Sequence, residues 1–182
     1  MNTAGDQPTA ATAIFPMAPL IRFTLISLYL ALVLPLPVLA PPELQEWLWA
    51  ALPLGLVLIL ALVSEQVELS DGGIRVGHPV WCAWLLRRGW ELPWDAITGL
   101  TPVATSQGGR VFYVRTKEES AYLLPQRVQA FDDFLSRFSQ HTGLNTSSIG
   151  RISPPWTYQL LAMLCSLFLG GEVIFLTVSL VG

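Results

Sequence analysis

The sequence predicts a membrane protein with two kinds of structure: three transmembrane helices, and a small α+β module in which antiparallel strands are closed by one C-terminal helix. Three observations predict it. Of 182 residues, 52% are hydrophobic and only 13% are charged, whereas an average soluble domain carries about 25% charged residues. The apolar residues gather in three long runs, at 20–40, 44–63 and 156–181. Between the second and third runs, over residues 67–141, the pattern changes to short alternating stretches divided by Gly and Asp. A run of about 20 apolar residues matches the thickness of a bilayer's hydrocarbon core, and alternation with a period of two marks a half-buried strand.

Taken in order, residues 1–19 lack Lys and Arg and show neither helical nor strand periodicity, so a flexible tail is expected. The run at 20–40, LIRFTLISLYLALVLPLPVLA, has 21 residues, about 31 Å as a helix. Arg22 lies in its first turn, where it snorkels to the interface. Pro35 and Pro37 come late and are expected to end or kink the helix. A cleaved leader is the competing reading, because Val38-Leu39-Ala40 resembles a small-residue cleavage site. The apolar run exceeds the roughly 7–15 residues of a leader's core, the only base near its start is Arg22, and Pro41 would follow the cut. A retained helix is therefore expected. A short turn, PPELQEW, leads into the second span at 44–63, with Trp47 and Trp49 placed for an aromatic belt. So short a link makes spans one and two an antiparallel hairpin.

The module occupies residues 64–142. Val67 and Leu69 alternate with Glu68 and Ser70, Asp71-Gly72-Gly73 forms a hairpin turn in which Gly supplies positive φ, and Ile74 and Val76 return around Arg75. Residues 80–86, VWCAWLL, are apolar on both faces and read as a buried strand ending at Arg87-Arg88-Gly89. The competing reading is a loop that presses Trp84, Arg87 and Arg88 onto anionic lipid or a partner. Extended pieces at 90–94 and 97–103 join through Pro93-Trp94-Asp95, Ser106-Gln107-Gly108-Gly109 turns the chain, and Phe112 and Val114 face away from Val111 and Tyr113. A charged turn at 117–120 precedes the last strand. A helix is expected from Pro125, with Val128, Phe131, Leu135 and Phe138 at spacings of three and four, Phe134 widening the stripe, and Gly143 as the stop. Residues 143–155 read as a polar linker. The third span, 156–181, opens with Trp156 and Tyr158 and holds one acid, Glu172, preceded by Gly170-Gly171.

The DGGI hairpin, the strand leading through Trp94-Asp95-Ala96-Ile97, the Gly-turned hairpin and the single closing helix resemble the bacterial pleckstrin-homology-like (PH-like) domains carried by small multi-span membrane proteins. The ending LLPQRVQAFDDFL resembles uncharacterised cyanobacterial proteins of this type. A membrane hairpin leading into a small β-rich domain is also similar to the photosystem I assembly factor family of cyanobacteria and plastids, from which the third span departs. These resemblances imply a scaffold or binding module, cyanobacterial and possible in a thylakoid membrane, with no catalytic residues to transfer.

Charge sets the expected sidedness. Of ten basic residues, Arg22 flanks the first span and the other nine lie between the second and third. The positive-inside rule therefore places the N-terminus and the module in the cytoplasm and the C-terminus across the membrane. A net charge of −3 gives no general attraction to nucleic acid. Cys82 and Cys165 form no CxxC and read as buried thiols. Gly108-Gly109 is followed by no Lys-Ser or Lys-Thr and reads as a plain turn rather than a phosphate loop. His78 and His141 lack ligand spacing, and Asp132-Asp133 and Glu118-Glu119 diverge on a helix face and in a turn, so no metal, cofactor or enzymatic centre is expected.

Glu172 is the exception to a purely apolar third span. An ionised carboxylate at mid-bilayer costs about 2.5–3.5 kcal/mol on insertion scales, so such an acid is expected to face protein. Gly170 and Gly171 allow a neighbouring helix to come close. No partner at the same depth is visible in the first two spans, whose polar groups beyond the PPELQEW turn are Thr24, Ser27 and Tyr29 in the early part of the first helix, near the cytoplasmic end. Glu172, Gly170 and Gly171 are therefore expected to contact another chain. The function expected is a non-enzymatic membrane scaffold or assembly factor that meets lipid and a larger, photosynthetic membrane complex. The alternatives are a lipid-binding PH-like module and a small transporter or channel subunit using Glu172.

Overall fold

The computed structural model describes residues 12–86, 89–106, 108–150 and 155–181. A short strand, β1 (Ala13–Pro16), runs directly into helix α1 (Pro19–Val33); a single turn, α2 (Leu36–Leu39), and a long helix, α3 (Pro42–Leu62), follow. The chain then forms β2 (Gln66–Leu69), β3 (Gly73–Gly77), β4 (Trp90–Pro93), a 3-10 turn at Trp94–Ala96, β5 (Ile97–Ala104), β6 (Arg110–Thr116) and β7 (Ala121–Leu123). Helix α4 (Phe131–Thr142) closes the module and α5 (Pro155–Val181) ends the chain. The stretches Pro19–Leu39, Pro42–Leu62 and Trp156–Phe175 are long and apolar enough to cross a membrane.

The strands form two antiparallel sheets, β1-β2-β3-β4 and β5-β6-β7. Their alternation is of the kind the sequence shows: Val67, Leu69, Ile74 and Val76 are buried from the first sheet, and Phe112 and Val114 from the second. These side chains, with Leu92 and Leu124, share one core with Phe131, Phe134, Leu135 and Phe138 of α4. Phe134 meets Phe15, Phe131 and Phe138 with ring centroids 5.7–6.2 Å apart. Trp94, at the corner between the sheets, donates its indole N–H to the Ser70 carbonyl at 2.8 Å. The same ring lies edge-on to Phe138 and stacks on His141 at 4.6 Å. Gly143 ends α4 in the left-handed region at φ 70°, as a helix stop requires.

Five local expectations are corrected. The expected tail contains β1, which pairs with β2 through Phe15 and Val67 and buries Phe15 and Met17. Pro16 is tolerated because β1 is the outer strand of the sheet. The closing helix begins at Phe131 rather than near Pro125, because the preceding residues pair with the N-terminal segment instead: Met17 bridges Val128, Ala18 N–H donates to the Arg127 carbonyl at 2.8 Å and Gln129 N–H to Pro16 at 2.7 Å. The Asp71-Gly72-Gly73 turn exists, yet neither Gly has positive φ; Gly73 is required because a Cβ there would overlap the Leu92 carbonyl of β4. Residues 80–85 form a tight turn rather than a strand. The expected linker is also partly structural, since Ile149 is buried in the core and the buried Gln126 side chain donates to the Gly150 carbonyl at 2.7 Å.

Among the apolar helices, α1 packs chiefly on α5. Its buried residues Ile21, Thr24, Ser27 and Ala31 recur at helical spacing, and α5 buries Ala162 and Cys165. Small residues let two helices approach closely where lipid offers no hydrophobic drive for association. The early residues Thr24 and Tyr158 are neighbours, as are the late residues Pro35 and Leu167 across one groove, so α1 and α5 run in the same direction. Helix α3 joins through Tyr29, whose hydroxyl donates to the Leu52 carbonyl at 2.6 Å; a Cβ at Gly55 would overlap that phenol.

Phe134→Ala is expected to destabilise the full-length protein by about 3–5 kcal/mol, the usual cost of truncating a buried Phe. Denaturant unfolding in detergent, followed by near-ultraviolet circular dichroism, measures it; an unchanged midpoint would place α4 outside the core.

Candidate functional site

Pro35 has no N–H with which to continue α1, and the chain restarts as the single turn α2, held by Leu39 N–H to the Pro35 carbonyl at 3.0 Å and Ala40 N–H to Leu36 at 3.0 Å. Between this offset turn and α5 lies a groove of about 480 Å³. Pro35, Val38 and Leu39 form one wall, and Leu167, Gly171 and Phe175 the other, with Glu172 set among them. Both carboxylate oxygens of Glu172 are enclosed and have no hydrogen-bond partner. The reason is chemical. The facing side chains are apolar, and the α2 backbone N–H groups are engaged within their own turn.

Gly170 and Gly171 have open space where a Cβ would stand. Among the described residues, no helix uses the close approach they offer. Three hydroxyls of these helices are satisfied locally: Thr24 donates to the Leu20 carbonyl at 2.8 Å, Ser166 to Ala162 at 2.8 Å and Thr177 to Ile174 at 2.8 Å. Glu172 is thus the side chain of α5 whose polar atoms are enclosed and without a partner among the described residues.

The second candidate lies at the other end of the helices. Trp84 stands on the turn after β3 with its side chain projecting outward, 80% exposed. Arg87 and Arg88 lie outside the described residues. The turn is anchored by Cys82, which is buried and has its Sγ 3.1 Å from the Ser64 hydroxyl. Sequence reasoning missed this thiol's role, because the contact joins residues 18 positions apart and a lone Cys has no spacing to read. Cys82 and Cys165 are both free and buried. His141 stacks on Trp94, and Asp133 pairs with Arg137 at 3.1 Å. Among the described residues, no three His, Cys, Asp or Glu side chains converge to hold a metal.

The chain is 41% identical to the uncharacterised protein slr0269 of Synechocystis sp., over 186 aligned positions covering 95% of this chain and 94% of that one. No protein-family model matches the chain, and no solved structure matches it.

Glu172→Leu is expected to raise the stability of the isolated protein in detergent by about 1–3 kcal/mol, the cost of an enclosed polar group without a partner. Thermal unfolding of the two purified proteins checks the direction. A lower midpoint in the Leu variant would mean that the carboxyl is satisfied after all.

Proposed function

The chain belongs to the family of that cyanobacterial protein, and from this premise we propose that it is an integral membrane scaffold or assembly factor, without a reaction of its own. Its helices dock a larger membrane-protein complex and its module is presented in the cytoplasm. The observation that carries the reading is Glu172, a carboxyl with no partner, beside two bare glycines in an open apolar groove. A polar group in hydrocarbon is stabilised when a neighbouring helix supplies a donor. The partner that fits is an apolar helix carrying a hydrogen-bond donor at the depth of Glu172. The finer assignment, a photosynthetic complex of the thylakoid membrane, draws its support from the cyanobacterial source of the relative. Two antiparallel sheets closed by a C-terminal helix support the PH-like reading of the module. Nine basic residues between the second and third apolar runs support a cytoplasmic module.

Two measurements test the proposal. Single-cysteine tags introduced at Ser147 and Gly182 are expected to label from opposite faces of sealed membranes; labelling of both from one face rejects the three-span arrangement. On native gels of solubilised membrane, Glu172→Gln, which keeps shape and hydrogen bonding, is expected to retain the large complex. Glu172→Leu is expected to release the chain as a small species. Wild-type complex in the Leu variant rejects Glu172 as the docking residue.

A further inference from the structure

The turn between β3 and β4 carries an apolar tip. Val80 is 90% exposed and Trp84 80%, with Trp81 and Leu85 also exposed. No charged residue lies within residues 79–86. Nor is the tip a floppy excursion. Cys82 and Ala83 N–H donate to the Pro79 carbonyl at 3.1 and 3.0 Å, and Leu85 and Leu86 N–H to Cys82 at 3.0 and 3.2 Å. The Trp84 indole N–H donates to the Trp81 carbonyl at 3.0 Å, so that ring has no remaining donor that needs water. Exposed apolar side chains on a hydrogen-bonded turn, at the edge of an otherwise well-packed module, mark a surface that meets something apolar.

The sheet register says what it meets. Gln66, at the start of β2, pairs with both Pro16 and Gly77. Pro16 stands just before α1 and Gln66 just after α3, so the end of β3 lies where both helices join the module. The turn that follows β3 must therefore emerge at that level. A second contact places it there independently: Cys82 touches Ser64, the second residue beyond the last turn of α3. Trp156, exposed at the start of α5, belongs to the same end, because neighbouring Tyr158 packs on Met17, Ile21 and Val63. The hairpin turn at 70–73 and the charged turn at 117–120 lie at the opposite end of the sheets, where Trp94 N–H meets the Gly72 carbonyl and Lys117 N–H meets Ala96.

We propose that the turn at residues 80–85 is an interfacial anchor: Val80, Trp81, Trp84 and Leu85 insert into the headgroup–acyl boundary of the same bilayer that α3 leaves. The proposal rests on the reading of α1, α3 and α5 as membrane spans. Its occupant is the lipid boundary, reached by apolar insertion rather than by recognition of one headgroup. Trp is suited to that boundary, with an apolar body and a preference for the interface. The anchor adds a fourth attachment to those made by α1, α3 and α5. It fixes the module's tilt and directs the 70–73 and 117–120 turns away from the membrane, toward a soluble partner or domain.

The test uses the full-length protein in phosphatidylcholine vesicles with brominated acyl chains, compared with Trp84→Phe and Trp81→Phe. The emission of the wild type minus that of each variant isolates one indole. Neither ring is buried, so both variants are expected to keep the wild-type circular dichroism and unfolding midpoint. Quenching of the total emission by bromolipid reports the spans, chiefly through Trp47, Trp49 and Trp156; its absence rejects the membrane reading itself. With that quenching present, the expected result is loss of the Trp84 and Trp81 difference emission in bromolipid. Difference emission that bromolipid leaves intact overturns the anchor while the spans stand, whether iodide quenches it, as for a water-exposed turn, or does not, as for a turn covered by a second copy.

Discussion

The pairing of β1 with β2 is the contact on which the rest of the chain depends. Phe15 opposite Val67 and Pro16 opposite Gln66 bring together two strands that lie on either side of the first two apolar helices. Neighbouring strands sit about 4.8 Å apart, so this pair holds the end of α3 close to the start of α1. The helical hairpin is thus closed at its base by the sheet, and the sheet gains an outer strand that the module's own residues do not supply. The far edge of β1 is covered in turn by the Met17–Val128 bridge and the Gln129 N–H to Pro16 bond, which leaves little free strand edge for another chain to extend.

Inside the apolar helices the governing problem is different. Three helices are long and apolar enough to cross a membrane; in a bilayer, where lipid chains are as apolar as Leu, burial of Leu would not drive α1 onto α5, and close contact of small residues and satisfied polar groups would. Thr24, Ser27 and Ala31 provide the first, and the Tyr29 bond to Leu52 provides the second on the α3 side. Helix α3 itself buries only Ala61 among the described residues, so most of its surface is left for lipid or for another protein. Against that background Glu172 stands out physically. The Thr24, Tyr29, Ser166 and Thr177 hydroxyls are satisfied within a turn or across one helix contact, while the one α5 carboxyl is left facing Pro35, Val38 and Leu39.

The two candidate contacts sit at opposite ends of the apolar helices, and different forces govern them. The Glu172 groove is open and apolar, with an enclosed carboxyl that lacks a donor, which suits a specific helix of matching depth. The turn at residues 80–85 is exposed and apolar with its backbone internally bonded, which suits a fluid boundary that asks for no fixed geometry. The scaffold role we propose would use both properties: a grip that selects its partner, and a fixed orientation in which the grip is offered.

The sequence by itself determined what depends on composition or period. The three apolar runs are defined by length alone, the strands around Val67, Ile74 and Val114 by alternation, the α4 stripe by its spacing, and the helix stop by Gly143; the 41% identity over nearly the whole chain likewise names a family from sequence alone. It also singled out Glu172 and Trp84, because an acid in an apolar span and a Trp beside paired Arg are locally unusual. Only the tertiary structure decided what those residues face. Ala13–Pro16 is too short to be a strand by its own pattern and becomes one because β2 offers it an edge. Residues 80–85 have the hydrophobicity of a buried strand, yet the sheet places β4 beside β3 without them and leaves them as the connecting turn. Glu172 meets α2 because Pro35 breaks α1 and shifts the next turn aside. Periodicity records which face of an element is apolar; whether that face finds protein, lipid or nothing depends on neighbours distant in the chain.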